Sequence, residues 1–253
     1  MPLYTADALV LRTYRLGEAD RIVVFLTADR GKKRGVAKSA RRPKSRFVGA
    51  LEPLTHVRVA YFEKETRELV GMNYAEALRS PLSGPSDSVG HASYFAELLD
   101  EWAQADDPSE TLFRLGASVV DAMAAGVAID PLARYFEYWL LRLQGVYPPH
   151  LVCHQCDARF GRGSDGAWLS ALDGVLTCAA CADAVAGHRG APLSSGALGF
   201  LSEARAKPPH AMGDLGVGAG VLAELEAVHR LLMARHLERE LRSPRVLRAI
   251  RRG

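Results

Sequence analysis

The sequence predicts an α+β protein of more than one domain, with a small β-barrel or sandwich followed by a helical region that contains a four-cysteine module. Three observations support this prediction. Short runs of β-forming residues separated by turn signals fill the first eighty residues, and helical periodicity replaces them after residue 86. All four cysteines occur in two Cys-x2-Cys pairs. A chain of 253 residues has room for these parts.

The N-terminal eighty residues contain the β pattern. In the run 55–62, Val57, Val59 and Tyr61 alternate with residues of the other face, as in a half-buried strand. Short strands with turn signals favour a small barrel or sandwich, and closure into a barrel would remove exposed strand edges. Four runs are predicted strands: residues 8–14, 21–26, 55–62 and 68–74.

Helical periodicity follows the break at residues 81–85. Asp130 and Pro131 form a start signal, with an N-cap residue followed by proline at the first helical position. The apolar stripes of these helices are predicted to form the core of a bundle. Predicted helices cover residues 87–104, 110–125, the segment that begins at Asp130, and 221–241.

The composition excludes several classes of protein. Hydrophobic residues make up 48% and charged residues 24%, so global disorder is excluded. The sequence contains neither an apolar run of the roughly 18 residues that a membrane helix needs nor a signal-peptide pattern at its start. We therefore expect a cytoplasmic protein without membrane contact. Four cysteines are too few for a disulfide scaffold in this length.

The four cysteines predict a structural zinc site. Cys153 and Cys156 form one pair, and after 21 intervening residues Cys178 and Cys181 form the second. Two such turns complete a tetrahedral shell of sulfur ligands, which leaves no open position for catalysis. The alternatives are a redox pair, which would not explain two pairs, or four idle thiols. The H-x-E at His236 follows the cysteines, whereas the base-deaminase pattern places it before them.

A strongly basic segment suggests a polyanion partner. Residues 1–80 carry 16 Lys and Arg against 9 Asp and Glu, although the net charge of the whole chain is only +3. The excess is concentrated at residues 30–46, read as a loop without acidic residues, where phosphates would neutralise the charge. A solvated face is the alternative, but such faces usually mix signs. The candidate DNA-binding residues are Arg30, Lys32, Lys33, Arg34, Lys38, Arg41, Arg42, Lys44 and Arg46.

Aromatic residues near this segment are candidates for stacking on bases, although each also fits a core position. They are Tyr14, Phe25, Phe47, Tyr61 and Tyr74. The sequence contains no P-loop, nucleophile elbow or H-E-x-x-H motif. We therefore expect a binding protein and not an enzyme.

Several strings resemble the RecO family of bacterial recombination mediators over nearly the whole chain. The most specific is AKSARRPKSRF at residues 37–47, where Ser39 departs from the glycine that the family commonly has after Ala-Lys. The others are ALVLR at 8–12, EADRIVVF at 18–25, LEP at 51–53, RYFEYWLLR at 134–142 before Gly145 and the paired cysteines, and the ending from RLLM at 230–233 through LRSPR at 241–245.

The resemblance implies a domain organisation and a function. It implies an N-terminal OB-fold barrel over residues 1–80, an α-helical domain over 81–148 and 182–253, and a zinc-finger insertion over 149–181. It further implies binding to single- and double-stranded DNA, annealing of complementary strands, and location in the nucleoid. With the partner RecR, such proteins help RecA to load on DNA coated by the single-stranded-DNA-binding protein SSB.

The resemblance also suggests that the last helix captures the acidic C-terminal tail of SSB. An apolar stripe there adjoins arginines, and arginine binds a carboxylate bidentately. Arg230 and Arg235 are the first candidates, with Arg239 and Arg242 beyond them. The alternative function is a zinc-dependent nucleic-acid enzyme or an RNA-binding regulator that shares an OB module.

Overall fold

Five strands close into a barrel in the computed structural model of the chain. The structure describes residues 2–64, 66–84, 88–161, 163–170, 173–184, 190–237 and 241. Within this range the contacts define two units, one that covers the residues up to 126 together with Leu241, and one that covers residues 127–237.

The barrel of the first unit has the order β1-β2-β3-β5-β4, closed by pairing of β4 with β1. The pair β3–β5 is parallel and the other four pairs are antiparallel. This is the arrangement of an OB-fold, so the predicted fold class is confirmed. The strands are β1 (Leu3–Leu16), β2 (Asp20–Thr27), β3 (Gly31–Ala37), β4 (His56–Phe62) and β5 (Val70–Arg79).

Alternation along the strands builds the barrel core. Val57, Val59 and Tyr61 of β4 are buried in it, as the sequence predicts, while Arg58 between them is exposed. Phe25 of β2 and Phe47 of the segment after β3 complete its aromatic content. The inward side chains therefore follow the period of two that a pleated strand imposes.

Strand β3 corrects the sequence analysis, which reads residues 30–46 as one basic loop. Residues Gly31–Ala37 pair along their whole length with β2, and their end pairs with β5. Lys, Arg and Gly are poor strand formers, but strand propensity depends strongly on the neighbours that a strand pairs with. The prediction of a loop is wrong for these seven residues.

Helices and a short turn complete the first unit: a 3-10 turn at Pro81–Ser83, α1 (Ser88–Trp102) and α2 (Glu110–Ala124). The face of α1 that carries Tyr94, Leu98 and Trp102 is buried, as its periodicity predicts. Both helices group with the barrel by their contacts, whereas the sequence analysis assigns them to the helical domain. The domain division drawn from the sequence stays a prediction.

The second unit contains helices and a small sheet. Helix α3 packs against α5 and α6, and the sheet has the order β7-β6-β8. No helix in the described part of the chain has the length and apolar character needed to span a bilayer. The elements are α3 (Ile129–Leu143), β6 (Ala167–Leu169), β7 (Leu176–Thr177), α4 (Ala179–Ala184), β8 (Ala191–Leu193), α5 (Ser195–Ala206) and α6 (Ala219–Leu237).

Two details of these helices differ from the sequence analysis. Helix α3 begins at Ile129 with Ala128 as its N-cap, so Asp130 lies in the first turn and Pro131 follows inside the helix. A carboxylate in a first turn still interacts favourably with the helix dipole. In α6, Leu225, Val228 and Leu232 are buried as expected. Leu231 is instead 55% exposed.

Candidate metal centre and nucleic-acid interface

The four cysteines converge on one point. The sulfur atoms of Cys153, Cys156, Cys178 and Cys181 all lie within 4.8 Å of one another, and all four thiols are free. The Sγ atoms of Cys156 and Cys178 are 3.8 Å apart. A tetrahedral shell with metal–sulfur bonds of about 2.3 Å places its sulfurs roughly 3.8 Å apart. The cluster therefore has the size and the donor set to hold one metal ion.

A tight turn of the backbone brings together the sulfurs of the first pair. The N–H of Cys153 donates to the carbonyl oxygen of Ala158, and the N–H of Asp157 donates to the carbonyl oxygen of Cys153. Asp157 has a φ of 57°, in the left-handed region that closes tight turns. The turn folds Cys156 back towards Cys153, which is the function of two intervening residues in such a pair.

The second pair lies between β7 and helix α4. Cys178 follows Thr177 of β7, and Cys181 lies in the first turn of α4. The backbone N–H of Cys178 also donates to the sulfur of Cys153 at 3.4 Å, which links the two pairs. A small hairpin lies between the two pairs, in which β6 pairs with β7.

Hydrogen bonding favours the thiolate form of Cys153. Burial opposes ionisation of its thiol, but backbone N–H groups, among them those of Cys178 and Cys156, outweigh burial and lower the pKa of Cys153 to about 6. The thiolate is the form that binds metals. Contacts with the other sulfurs, first of all that of Cys178, instead raise the pKa of Cys181 to about 12. The donor set therefore suits a cation, whose charge would offset the mutual repulsion of the thiolates.

The basic segment divides into two parts that differ in their ion pairs among the described residues. In the first part, which consists of Arg30, Lys32, Lys33 and Arg34, every side chain has an acidic neighbour. Arg30 lies near Asp29 and also stacks over the ring of Tyr4 at 3.9 Å. Nζ of Lys32 contacts a carboxylate oxygen of Asp100 at 3.2 Å.

Lys33 is the most enclosed of these cations. Its side chain is 9% exposed and pairs with the carboxylates of Glu63, at 2.7 Å, and Asp106. Burial alone would lower its pKa, but hydrogen bonds to Asp106 and Glu63 raise it above the ordinary lysine value. Arg34 pairs with Glu68 at 2.8 Å on the surface. Lys33 is therefore neutralised by two carboxylates, whereas the exposed pair of Arg34 with Glu68 contributes little to stability and leaves the guanidinium open to solvent.

The second part, residues 38–46, forms turns after β3, and its cations are exposed: Lys38, Arg41, Arg42, Lys44 and Arg46. Among the residues that the structure describes, these five have no acidic partner within ion-pair distance. Their polar contacts are neutral. Arg41 donates to the carbonyl oxygen of Glu18 at 2.7 Å, and Arg46 donates to Oδ1 of Asn73 at 3.3 Å. We name residues 38–46 the cationic turn.

The cationic turn is fixed against the β1–β2 hairpin. The N–H of Arg41 donates to the carbonyl oxygen of Ala19, and the N–H of Ser39 donates to Oδ1 of Asp20 at 2.7 Å. Ser39 has a φ of 58°, which explains why glycine suits this position in the family that the sequence resembles. The turn thus keeps its left-handed backbone without glycine.

The hairpin contributes residues that the sequence analysis does not include in the site. Arg15 of β1 and Arg21 of β2 are register partners at its end, and Arg15 is exposed. The sequence analysis misses them because they are separate from residues 30–46 in the sequence, although Arg21 begins one predicted strand and Arg15 directly follows another. Tyr14, a predicted stacking residue, is 44% exposed beside Arg15.

The other predicted aromatic residues have different environments. Phe25, Phe47 and Tyr61 are buried in the barrel core, so their faces are closed to bases. Tyr74 on β5 is half-buried. In the second unit, Arg230 and Arg235 are both exposed on α6, whereas Arg239 and Arg242 lie outside the described residues.

Comparisons with known proteins match both halves of the chain. The family model for the N terminal of recombination protein O covers residues 1–81, and the model for its C terminal covers residues 86–245. The DNA repair protein RecO of Koribacter versatilis is 38% identical over 70% of this chain and 72% of its own length.

Two further relatives carry the same family name. The DNA repair protein RecO of Anaeromyxobacter sp. strain K is 36% identical over 76% of this chain and 75% of its own length. The DNA repair protein RecO of Desulfosudis oleivorans is 30% identical over 99% of both chains. The matches span the barrel, the helices and the cysteine cluster, and the chain therefore belongs to the RecO family of DNA repair proteins.

Proposed function

We propose that this chain is a DNA-binding recombination mediator that holds single- and double-stranded DNA, anneals complementary strands and catalyses no covalent reaction. The observation that carries the proposal is the cationic turn, whose five exposed cations have no acidic partner in the described part of the chain and lie at one end of an OB-fold barrel. OB-folds bind nucleic acids on the face of strands 2 and 3 and on adjoining loops. The hairpin between β1 and β2 is one of those loops.

The chemistry of this surface suits annealing. Cations that neutralise phosphates release counterions, which gives affinity without dependence on sequence. Two strands held by their phosphates lose their mutual repulsion and keep their bases free to pair. Tyr14, exposed beside Arg15, offers a stacking face for an unpaired base. The buried aromatic residues have no part in this proposal.

Zinc is the metal proposed for the cysteine cluster. Four thiolates form the soft tetrahedral donor set that zinc prefers, and such a closed shell leaves no position for a substrate. Cys153, Cys156, Cys178 and Cys181 would hold the ion, which would fix the loops of the module. The role of the metal is therefore structural.

RecR, RecA and SSB are the proposed partners, on the basis of family membership. For the SSB tail, α6 provides an observation of its own. Leu231 is 55% exposed, and Arg230 and Arg235 on the same helix are exposed as well. An acidic peptide that ends in a hydrophobic residue needs an apolar contact and a cation for its carboxylate.

An annealing assay tests the proposal. Complementary oligonucleotides, one labelled with a donor and the other with an acceptor dye, are mixed with the protein in the absence of nucleotide, both naked and coated with SSB. We expect faster annealing, and recovered oligonucleotides that are chemically unchanged. Cleaved or modified strands would instead support the zinc-dependent enzyme. Preferential binding of RNA without annealing would support the RNA-binding regulator.

A further inference from the structure

A groove in the second unit combines cations with apolar surface. It has a volume of about 770 Å³ and lies between the first cysteine turn and the end of α5. Arg159 contributes from the cysteine turn, and Arg205 and Ser202 contribute from α5. This volume falls in the range of cavities that hold one small ligand, roughly 300 to 1,000 Å³.

The two arginines of this groove have free charge. Arg159 is exposed and Arg205 is half-buried, and neither has an acidic partner within ion-pair distance among the described residues. The described lining contains no acidic side chain either, and His150 adds a further polar group. An anion is therefore the ligand that the charges of this groove favour.

Part of the apolar lining comes from the first cysteine turn, which also carries Arg159. Val152 and Arg159 form an isolated antiparallel bridge, so their side chains share one face. Phe160, whose N–H donates to the carbonyl oxygen of Leu151 at 2.8 Å, also lines the groove but is only 8% exposed, so Val152 and Ala206 are the more accessible apolar side chains of the lining. A cation and an apolar surface are thus presented side by side, which suits a ligand with an anionic part and a flat apolar part.

The neighbouring helix holds this arrangement in place. Nε1 of Trp139 donates to the carbonyl oxygen of Ala204 at 2.9 Å, which fixes the end of α5 against α3. Arg142 donates to the carbonyl oxygen of Pro149 at 3.2 Å, directly before His150. Its guanidinium also lies 4.8 Å from the ring centroid of Trp139. Both walls of the groove are therefore attached to α3, which favours a preformed site.

We infer that this groove is a second nucleic-acid site, which binds one or two nucleotides of single-stranded DNA through Arg159 and Arg205. The inference rests on the proposed function, because DNA supplies the anion. Each arginine would contact a phosphate bidentately, and an unpaired base would cover the apolar lining. A paired base is enclosed in its duplex, so this site selects single strands.

The test compares matched variants by fluorescence anisotropy with a labelled oligo(dT). The double variant Arg159→Ala/Arg205→Ala removes both cations of the groove. The control Arg114→Ala/Lys207→Ala also removes two positive charges, from exposed side chains that have their own acidic partners four residues away. Thermal unfolding and metal content of both variants should match those of the wild type.

We expect the groove variant to lose about 10- to 30-fold in affinity for single strands at 0.1 M salt. Its log–log salt slope should fall by about 1.4, which corresponds to two phosphate contacts. The control should resemble the wild type, and binding of a duplex should change little. In hydrogen exchange, oligo(dT) should protect peptides over residues 150–160 and 202–206 of the wild type.

The outcomes separate this inference from the proposed function. Wild-type protein that fails to bind any DNA would overturn both. Wild-type binding that the groove variant retains in full, without protection of the two peptides, would overturn the groove alone. Binding of a labelled acidic peptide that depends on Arg159 and Arg205, with unchanged DNA binding, would also overturn it and identify a protein ligand.

Discussion

Nδ1 of His229 lies 2.9 Å from Oε2 of Glu137 in the core of the second unit, and 92 residues of sequence separate the two. The other oxygen of Glu137 accepts from Arg134 at 2.8 Å, and Nε2 of His229 lies 3.0 Å from the hydroxyl of Tyr147. All four side chains are buried. Arg134 pairs with Glu137 at 2.8 Å and also lies 3.5 Å from a carboxylate oxygen of Glu226. With the charge of Glu137 balanced in this way, a neutral His229 can donate to Glu137 and accept from Tyr147.

This network predicts a dependence of stability on pH. Burial lowers the pKa of His229, and its hydrogen bond to Glu137 offsets this only in part. The unfolded state, with a histidine pKa near 6.5, therefore binds the proton more readily. The stabilisation is complete above pH 6.5 and is lost as the pH falls from there through the folded-state pKa.

We expect His229→Asn to lower the free energy of unfolding by about 1 to 3 kcal/mol at pH 7.5, because the partner Tyr147 loses its acceptor. The loss of stability between pH 7 and pH 5 should be smaller in this variant than in the wild type. Chemical denaturation at several pH values measures both. His210→Asn, at an exposed histidine, is the control, and it should leave the free energy of unfolding and its pH dependence unchanged. Identical pH dependence of wild type and His229→Asn would contradict the prediction.

The cysteine cluster predicts that the thermal stability of the protein depends on a bound metal ion. Cys156→Ser leaves three sulfurs, so metal content should fall from one equivalent per chain to a substoichiometric value, and thermal stability should fall with it. Elemental analysis of protein prepared without chelator measures the metal content. Ala180→Ser, between the ligands Cys178 and Cys181, preserves the shell and should keep its zinc. Zinc-free wild-type protein of full stability would refute a structural metal.

The cationic turn predicts the salt dependence of DNA binding. Replacing Arg41, Arg42 and Lys44 with alanine should reduce the log–log salt slope for single strands by up to about 2, at roughly 0.7 per lost phosphate contact. The matched control replaces Arg58, Arg79 and Arg114, three exposed arginines that have acidic partners. Titrations at four salt concentrations give the slopes. Equal slopes for the two triple variants would place the main DNA site elsewhere.

The proposed SSB contact predicts a peptide-binding defect. A labelled peptide with the acidic SSB tail should bind the wild type at modest salt, and Arg230→Ala/Arg235→Ala should weaken this binding about tenfold or more, as loss of charge-assisted contacts implies. Arg114→Ala/Lys207→Ala is again the charge control. Failure of the wild type to bind rules out the site, while equal binding by both double variants rules out these two arginines.

Much of the fold follows from local patterns in the sequence. The alternation in β4 and the apolar stripes of α1, α3 and α6 reflect periods of 2 and 3.6 residues, which any packed strand or helix must present. The spacing of the cysteines similarly anticipates their cluster, because two residues between ligands form a turn with little help from distant parts of the chain. Family membership is readable for the same reason, since its strings are contiguous.

The tertiary structure decided what depends on partners distant in sequence. Gly31–Ala37 is a strand because β2 and β5 pair with it, not because Lys, Arg and Gly favour one. Of the nine cations in the basic segment, Lys33 is occupied by Glu63 and Asp106, whereas Arg42 and Lys44 remain exposed without an acidic partner among the described residues. A run of like charges in the sequence predicts a polyanionic ligand. Which charges are free to bind it depends on carboxylates that only folding brings near.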